Sequence, residues 1–321
     1  MQQFTNLRKI LVPVPLNADL VVPLRQAMHF HRAYGSEIIL MNVVSGSSVF
    51  HRVLKPEELR KRQKKAKRKL KKLVKKHFHG EIPAPVDIKI VKGTLLSAIL
   101  KTARESGCDL IVIKKARRLD SRFKYLKSEN ADKLIAEAVC PVLTIISDPT
   151  PEKISNIMIP VEVLKPSKNK VAWAVSLAKK YDARLHLVSV LKADVNVKTS
   201  LAFRQSRKIE SHLHKQGIDV NKVILKPEDD RSPEETIIQY AEEQQPDMIL
   251  IKTHKESVIR ENYLGSFARE IIHNSPVPVF SVIPGNETTP YNIMKPVPER
   301  VIREKKTEPV NKEYPYNTSQ N

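Results

Sequence analysis

Residues 10–14, with the sequence ILVPV, return as residues 157–161, with the sequence IMIPV, 147 positions further along the chain. The same shift aligns Tyr34 with Tyr181. Self-similarity over a fixed distance is typical of a structural unit that occurs more than once. The 321-residue chain is therefore predicted to contain two tandem copies of one domain.

Two further motifs extend the repeat to the end of each copy. Residues 109–114 (DLIVIK) match residues 247–252 (DMILIK), now with a shift of 138 positions. Residues 141–146 (PVLTII) match residues 278–283 (PVFSVI) near the end of each copy. Because the second shift is nine positions shorter, we expect the first copy to carry about nine extra residues, in its basic region.

The alternation of apolar patterns indicates the fold class. Within each copy, short β-branched runs alternate with helical patterns of ten or more residues, which is typical of βαβ units and a parallel sheet buried on both faces. We predict an α/β fold with two tandem doubly wound sheets of five strands each. The domains are placed at residues 1–149 and 150–284, and the polar, proline-containing residues 285–321 are predicted to be a disordered tail. Ligands of such sheets bind at the carboxyl ends of the strands, so the loops after the first and fourth strands are candidate sites.

The charge of the chain is strongly positive and concentrated in one segment. Lysine and arginine number 56 against 35 aspartates and glutamates, which gives a net charge of +21. Thirteen of the basic residues lie within residues 55–76, against two acidic ones, and apolar residues recur there at helical spacing. This predicted basic helix has two open interpretations. It is either a solvated lysine face or a docking face for the phosphates of nucleic acid, nucleotide or acidic lipid headgroups.

Several classes of protein are excluded or disfavoured by what the sequence lacks. No stretch approaches the roughly 20 apolar residues of a membrane helix, and the first residues lack the apolar core of a secretory signal. We therefore expect a cytoplasmic protein without a membrane span. Cys108 and Cys140 are too few for a disulfide framework and lack zinc-site spacing, so both are predicted to be small buried residues and no metal is expected.

The motifs together resemble the universal stress protein family. The resemblance rests on the opening ILVPV strand, the DLIVI-type fourth strand, a Gly-Ser loop, and the closing CPVL and VPVF strands. The resemblance covers nearly all of residues 7–284 and occurs twice, so the chain resembles a tandem universal stress protein. It implies the adenine-nucleotide alpha-hydrolase-like strand order 3-2-1-4-5 and pairing of the two domains through their last strands. The resemblance therefore implies that the two domains pair with each other as an intrachain pseudo-dimer. Association of several chains into a homo-oligomer remains an open alternative.

Members of that family that bind nucleotides carry, after the fourth strand, Gly-x-x-Gly, nine residues, and then Gly followed by Ser or Thr. Glycines let backbone N–H groups approach phosphate oxygens, and the last pair opens a helix whose N-terminus attracts anions. In the second copy, residues 252–255 (KTHK) take the first four positions and residues 265–266 (GS) keep the last pair. In the first copy, residues 114–117 (KKAR) and 127–128 (KS) have lost all three glycines.

The replaced glycines leave two interpretations open. A lysine adds a Cβ in the space that phosphates would use, yet its ammonium group can neutralise a phosphate from another direction. The family also places an acidic residue just after the first strand, where Glu162 stands in the second copy and Pro15 in the first. The resemblance thus implies loss of tight ATP binding and no resident cofactor, with the second domain the better candidate for ATP. The nucleotide-site residues that it implies are Glu162, Lys252, Thr253, His254, Lys255, Gly265 and Ser266.

Three functions remain as hypotheses. The leading one is a non-catalytic binding protein of the stress response with degenerate nucleotide loops, because no nucleophile and base stand at a spacing that completes a catalytic arrangement with His254. The second is an ATP-binding switch or slow ATPase through the second domain. The third is a polyanion binder, for nucleic acid or an acidic membrane. The residues of this third hypothesis are the basic helix at 55–76 together with Lys114, Lys115, Arg117, Arg118, Arg122, Lys124 and Lys127.

Overall fold

The computed structural model describes nine stretches of the chain. They are residues 6–44, 56–115, 126, 128–145, 153–161, 168–191, 196–227, 230–253 and 264–283. Below, the described residues up to 145 are called the first half and those from 153 onward the second half. The predicted disordered tail at 285–321 lies outside the described residues, and the domain boundaries remain predictions.

Each half contains five strands and four α-helices among its described residues, and the first half also has a short 3-10 helix at Ala18–Leu20. The strands of the first half are β1 (Lys9–Pro13), β2 (Glu37–Val44), β3 (Val86–Lys92), β4 (Leu110–Lys114) and β5 (Val142–Ile145). Its helices are α1 (Val21–Tyr34), α2 (Pro56–His77), α3 (Leu95–Glu105) and α4 (Ser128–Glu137). The strands of the second half are β6 (Asn156–Pro160), β7 (Arg184–Val190), β8 (Val220–Leu225), β9 (Met248–Lys252) and β10 (Val279–Val282). Its helices are α5 (Lys168–Tyr181), α6 (Leu201–Lys215), α7 (Pro233–Gln244) and α8 (Ser266–Asn274).

All ten strands form one sheet, in the order β3-β2-β1-β4-β5-β10-β9-β6-β7-β8. Pairing is parallel within each half, whereas β5 and β10 run antiparallel, with Leu143 opposite Phe280. The α/β class with parallel strands is thus confirmed. The predicted pairing through the last strands joins the two sheets into a single one, so the halves share a continuous hydrogen-bonded core.

An aspartate at the start of the fourth strand makes the same contact in both halves. These aspartates, Asp109 and Asp247, are the first residues of the two DLIVI-type motifs. The carboxylate of Asp109 accepts the backbone N–H groups of residues 8 and 9 at 2.9 and 3.0 Å. The carboxylate of Asp247 accepts those of residues 155 and 156 at 2.6 and 2.8 Å. Each aspartate therefore ties the fourth strand of its half to the beginning of the first strand.

On one face of the sheet, an aromatic cluster fills the boundary between the halves. The ring of Phe280 packs against Trp173 at 5.3 Å and against Phe30 at 6.3 Å between centroids. Tyr34 and Tyr181, which the repeat aligns, meet edge to face at 6.3 Å. Residues of α1, α5 and β10 thus form one apolar core across the boundary.

On the opposite face, α4 and α8 meet through an ion pair above an aliphatic layer. The Nε2 atom of His273 lies 2.8 Å from a carboxylate oxygen of Asp132, and the Nε atom of Arg269 lies 3.6 Å from the other oxygen. The aliphatic layer below includes Val142 and Val279 from the two central strands. The boundary is therefore covered on both faces by residues of both halves.

We expect Phe280→Ala to lower the free energy of unfolding by about 3–5 kcal/mol, because it removes a fully buried ring from this boundary. Chemical denaturation followed by the fluorescence of Trp173, the only tryptophan, measures the change. Val139→Ala is the control, since Val139 is exposed and its truncation should cost less than about 0.5 kcal/mol. Equal losses in the two variants would contradict the structural role of the aromatic cluster.

The two tyrosines of the cluster predict a pH dependence. Burial raises the pKa of Tyr34 to about 12, only partly opposed by its hydrogen bond to Ser176, and burial also raises the pKa of Tyr181. Because the unfolded state ionises first, near pH 10, the stabilisation by these groups is complete below pH 10 and is lost as pH rises through about 12.

Tyr181→Phe separates this effect from general alkaline denaturation. The hydroxyl of Tyr181 is buried and has no hydrogen-bond partner among the described residues, so its removal should leave stability at pH 7 unchanged or up to about 1 kcal/mol higher. The variant should also lose less stability between pH 9 and pH 11 in urea titrations. A steeper alkaline loss in the variant than in the parent protein would refute the assignment.

Candidate functional site

The carboxyl ends of the strands of the second half bring four of the predicted residues together. Lys252 ends β9, and the buried Thr253 donates hydrogen bonds from its backbone N–H and its hydroxyl to the carbonyl of Val282, at 3.1 and 3.3 Å. The N–H of Gly265 donates to the carbonyl of Thr253 at 3.0 Å, and Ser266 is the first residue of α8. Of the other predicted residues, Glu162, His254 and Lys255 lie outside the described residues.

Gly265 caps the start of α8 without needing to be glycine. Its backbone angles, φ −59° and ψ 148°, are accessible to any residue. A Cβ added there would lie 3.5 Å from the carbonyl oxygen of Thr253, which is an ordinary contact. The fold therefore tolerates a side chain at this position, and the glycine keeps the start of α8 open.

A residue that the sequence argument did not select, Lys170, lies at the same edge of the sheet. It belongs to the first turn of α5, is only 6% exposed, and donates from Nζ to the carbonyl of Pro160, the last residue of β6, at 2.8 Å. The neighbouring Asn169 donates to the carbonyl of Ile283 at 2.8 Å. A buried ammonium group thus stands at the carboxyl end of the first strand of the second half.

The apolar pattern after the first strand of the second copy predicts a helix over residues 170–181, so the sequence itself places Lys170 at the start of that helix. The repeat aligns it with Pro23 in the first half, so the buried cation is particular to the second half. In the first half, Asn42 donates to the carbonyl of Val14 at 2.7 Å. The two strand ends are thus lined differently although the backbone topology is the same.

Two lysines of the polyanion hypothesis, Lys114 and Lys115, have little exposure to solvent in the first half. Lys114 ends β4, and its Nζ lies 3.8 Å from a carboxylate oxygen of Asp19, in the short turn after β1. Lys115 is buried, and its backbone N–H donates to the carbonyl of Ile145 at 2.8 Å. Lys115 therefore does not belong to an exposed basic surface, because its position after β4 turns it into the core. The predicted members of that face between residues 116 and 127 lie outside the described residues.

The described residues offer little reactive chemistry. Cys108 and Cys140 are free and buried, as predicted, and burial raises the pKa of the Cys108 thiol to about 11 and that of Cys140 further. Within the described ranges, no group of three or more His, Cys, Asp or Glu side chains is arranged to hold a metal ion. No helix in the same ranges combines the length and the apolar character needed to cross a bilayer.

We expect the Lys114 and Asp19 side chains to couple by about 1 kcal/mol in a double-mutant cycle of Lys114→Ala and Asp19→Ala. Their side chains are 12% and 27% exposed, so water screens the pair less than it screens a surface pair. The control is Lys101 with Glu105, an α3 pair at 3.7 Å whose side chains are 70% and 60% exposed, for which we expect a smaller coupling. Additive free energies of unfolding for Lys114 and Asp19 would contradict this pairing.

The chain was compared with known families and solved structures. It matches the model of the universal stress protein family over residues 6–145 and again over residues 153–282. It is similar to the crystal structure of a universal stress protein from Archaeoglobus fulgidus DSM 4304, with 19% identity and a TM-score of 0.66, over 88% of this chain and 98% of that one. A second structure, described as a universal stress protein of Pseudomonas aeruginosa UCBPP-PA14, shows 16% identity and a TM-score of 0.56 over 88% of this chain and 95% of that one. At these identities the structural likeness shows the fold.

The comparison with curated proteins found no match. The family model, by contrast, matches most of the chain, once in each half, and the two matched ranges contain the repeated motifs at residues 10–14 and 157–161. The chain therefore belongs to the universal stress protein family and carries two universal stress protein domains in tandem.

Proposed function

We propose that this universal stress protein acts by binding rather than by catalysis, as a stress-response protein of the cytoplasm whose halves do not hold ATP tightly. The observation that carries the proposal is the presence of lysines at the first glycine position of both phosphate loops. These are Lys114 at the end of β4 and Lys252 at the end of β9. The two binding units correspond to the proposed domains at residues 1–149 and 150–284.

In the first half, the lysine itself works against nucleotide binding. Its ammonium group lies 3.8 Å from the carboxylate of Asp19, and both side chains are largely removed from solvent. A phosphate that entered this loop would compete with Asp19 for Lys114, and it would bring its own negative charge close to that carboxylate. The ion pair thus supports a closed, unoccupied first site.

In the second half, the case for a degenerate site rests on Lys252 and Lys170. Lys252 adds a side chain where nucleotide-binding relatives have glycine. Lys170 brings a buried ammonium group to the end of β6, where it bonds to the carbonyl of Pro160. That strand end is where the family pattern expects an acidic residue for the sugar, so a neighbouring cation changes the chemistry of the site.

One observation favours a second candidate function, an ATP-binding switch or slow ATPase through the second half. Gly265 is kept although neither its backbone angles nor its surroundings require glycine. It precedes Ser266 at the start of α8, where free N–H groups and the helix dipole favour an anion. We assign no catalytic residue to this candidate function, since among the described residues no nucleophile is hydrogen-bonded to a base at the start of α8.

Native mass spectrometry of the freshly purified chain, followed by thermal unfolding with and without Mg-ATP, tests the proposal. We expect no bound nucleotide and a shift in Tm below about 1 °C at millimolar Mg-ATP. A ligand present at tenfold its Kd would stabilise the fold by about 1.4 kcal/mol, which is a shift of several degrees.

Co-purified adenine nucleotide would overturn the proposal in favour of the switch. A Tm shift that Ser266→Ala or Glu162→Ala abolishes would do the same and would locate the nucleotide in the second half. Lys101→Ala serves as the matched control, because its exposed side chain on α3 lies in the other half and should leave any shift unchanged.

A further inference from the structure

Helix α2 carries an exceptional density of positive charge on its solvent side. Its 22 residues include twelve lysines and arginines, all of them exposed, against two acidic residues in its first turn. In the described part of the chain, none of the twelve forms an ion pair. They are Arg60, Lys61, Arg62, Lys64, Lys65, Lys67, Arg68, Lys69, Lys71, Lys72, Lys75 and Lys76.

The packing of α2 decides which of these cations face away from the protein. Ala66, Leu70 and Val74 form a buried stripe that packs against β2 and β3. At 100° per residue, the cations at i, i+4, i+7 and i+11 on the opposite side form a straight row. This row, called the crest below, consists of Lys61, Lys65, Arg68 and Lys72.

One flank of α2 continues into an open groove beside β3, the edge strand of the first half. The groove measures about 740 Å³ and includes five cations and two carboxylates in its lining. The cations are Lys9, Arg60, Lys64, Lys67 and Lys89, and the carboxylates are Asp87 and Glu105. Two of these groups pair with residues outside the lining, Lys9 with Glu37 at 3.6 Å and Glu105 with Lys101 at 3.7 Å. Four cations and one carboxylate then remain, so the groove keeps an excess of positive charge.

The second half shows that the fold does not require this charge. Helix α6 stands between β7 and β8 as α2 stands between β2 and β3, and its 15 residues carry four lysines and arginines and one glutamate. Like charges four residues apart destabilise a helix, and α2 has many such pairs. The basic surface is therefore a property of α2 that neither topology nor helix stability explains.

We propose that the crest of α2 and the adjoining groove bind double-stranded DNA through its phosphates, without reading the base sequence. A helix of 22 residues is about 33 Å long, close to one turn of B-form DNA, and the major groove of about 12 Å admits a helix. Cations on the crest and on both flanks then reach phosphates of both strands. Lysine and arginine contacts to phosphate position a protein on the duplex but carry no sequence information.

Other polyanions fit this surface less well. Proteins that hold single strands stack bases mainly on Phe, Tyr and Trp, and neither α2 nor the described lining of the groove contains any of these three. A helix that lies on a membrane inserts its apolar side chains. In α2, Ala66, Leu70 and Val74 are buried in the protein, and the other two leucines are half-buried. The deep, narrow major groove of double-stranded RNA does not admit a helix.

Fluorescence anisotropy of the full chain with a labelled 20-base-pair duplex tests the proposal. We expect the binding constant to fall by about 200-fold between 50 and 200 mM KCl, as neutralisation of four to five phosphates requires. The combined variant Lys61→Gln, Lys65→Gln, Arg68→Gln and Lys72→Gln should bind at least about tenfold more weakly at 100 mM KCl and show a shallower salt dependence. Glutamine keeps the helix propensity of lysine, and no described ion pair is lost.

The matched control removes the same number of charges from the corresponding helix of the second half. It combines Arg204→Gln, Arg207→Gln, Lys208→Gln and Lys215→Gln on α6, and its affinity should change less than about twofold if the contact is local to α2. Circular dichroism and Tm verify that both variants fold. If a variant does not fold, protection of the crest lysines of the unmodified chain from acetylation by added duplex gives the same answer.

Three outcomes would overturn the proposal. Equal weakening by the α2 and α6 variants would mean that net charge alone attracts the DNA. Tighter binding to a single-stranded 20-mer, or to phosphatidylserine vesicles, than to the duplex would assign the surface to a different partner. An unprotected crest in the acetylation experiment would exclude α2 from the contact.

Discussion

The antiparallel pairing of β5 with β10 is the contact on which the rest of the architecture depends. In an isolated half, each of these strands would expose an unpaired backbone edge, and Phe280 would lose its contact with Phe30 across the boundary. Among the described strands, those within each half are parallel, and only the β5–β10 pair is antiparallel. The carboxyl ends of the strands of one half therefore lie at the opposite edge of the sheet from those of the other half. The described residues of the two candidate nucleotide sites therefore lie at opposite edges of the sheet.

The two halves share the hydrogen bonds of the backbone but differ in the side chains on their surfaces. Asp109 and Asp247 make the same hydrogen bonds to the start of the first strand, and Lys115 and Thr253 donate the same backbone bond to the last strand. In contrast, Lys170 stands where the first half has Pro23, and α2 carries twelve cations where α6 carries four. Hydrogen bonds that form the sheet are thus common to both halves, whereas the side chains at the proposed binding surfaces are not.

The fold followed from the sequence because hydrophobic periodicity reports burial directly. The apolar runs predict strands over residues 9–14, 110–113, 156–161 and 248–251, and the bounds of β1, β4, β6 and β9 agree with these to within one residue. For the edge strand β8 the pattern predicts a start at Lys222, whereas the strand begins two residues earlier, at Val220. That edge strand is only partly buried, so the polar Asn221 interrupts its apolar pattern. The candidate site was less predictable. The sequence places Lys170 at the start of a helix, but nothing in it shows that this lysine is buried and bonded to a backbone carbonyl. Lys114 pairs with Asp19, 95 positions away, and so distant a partner leaves no local sequence signal.

The placement of α2 at one end of a ten-stranded sheet has an electrical consequence. With strands about 4.8 Å apart, β3 and β8 lie roughly 40 Å from each other, and the cation-rich helix packs only at the β3 end. Among the described residues, this helix places an excess of positive charge at the β3 end of the sheet. A negatively charged partner would attract this end of the sheet first, so the first half would face the partner. Helix α6 and strand β8 would then point away from it and stay accessible to a second ligand.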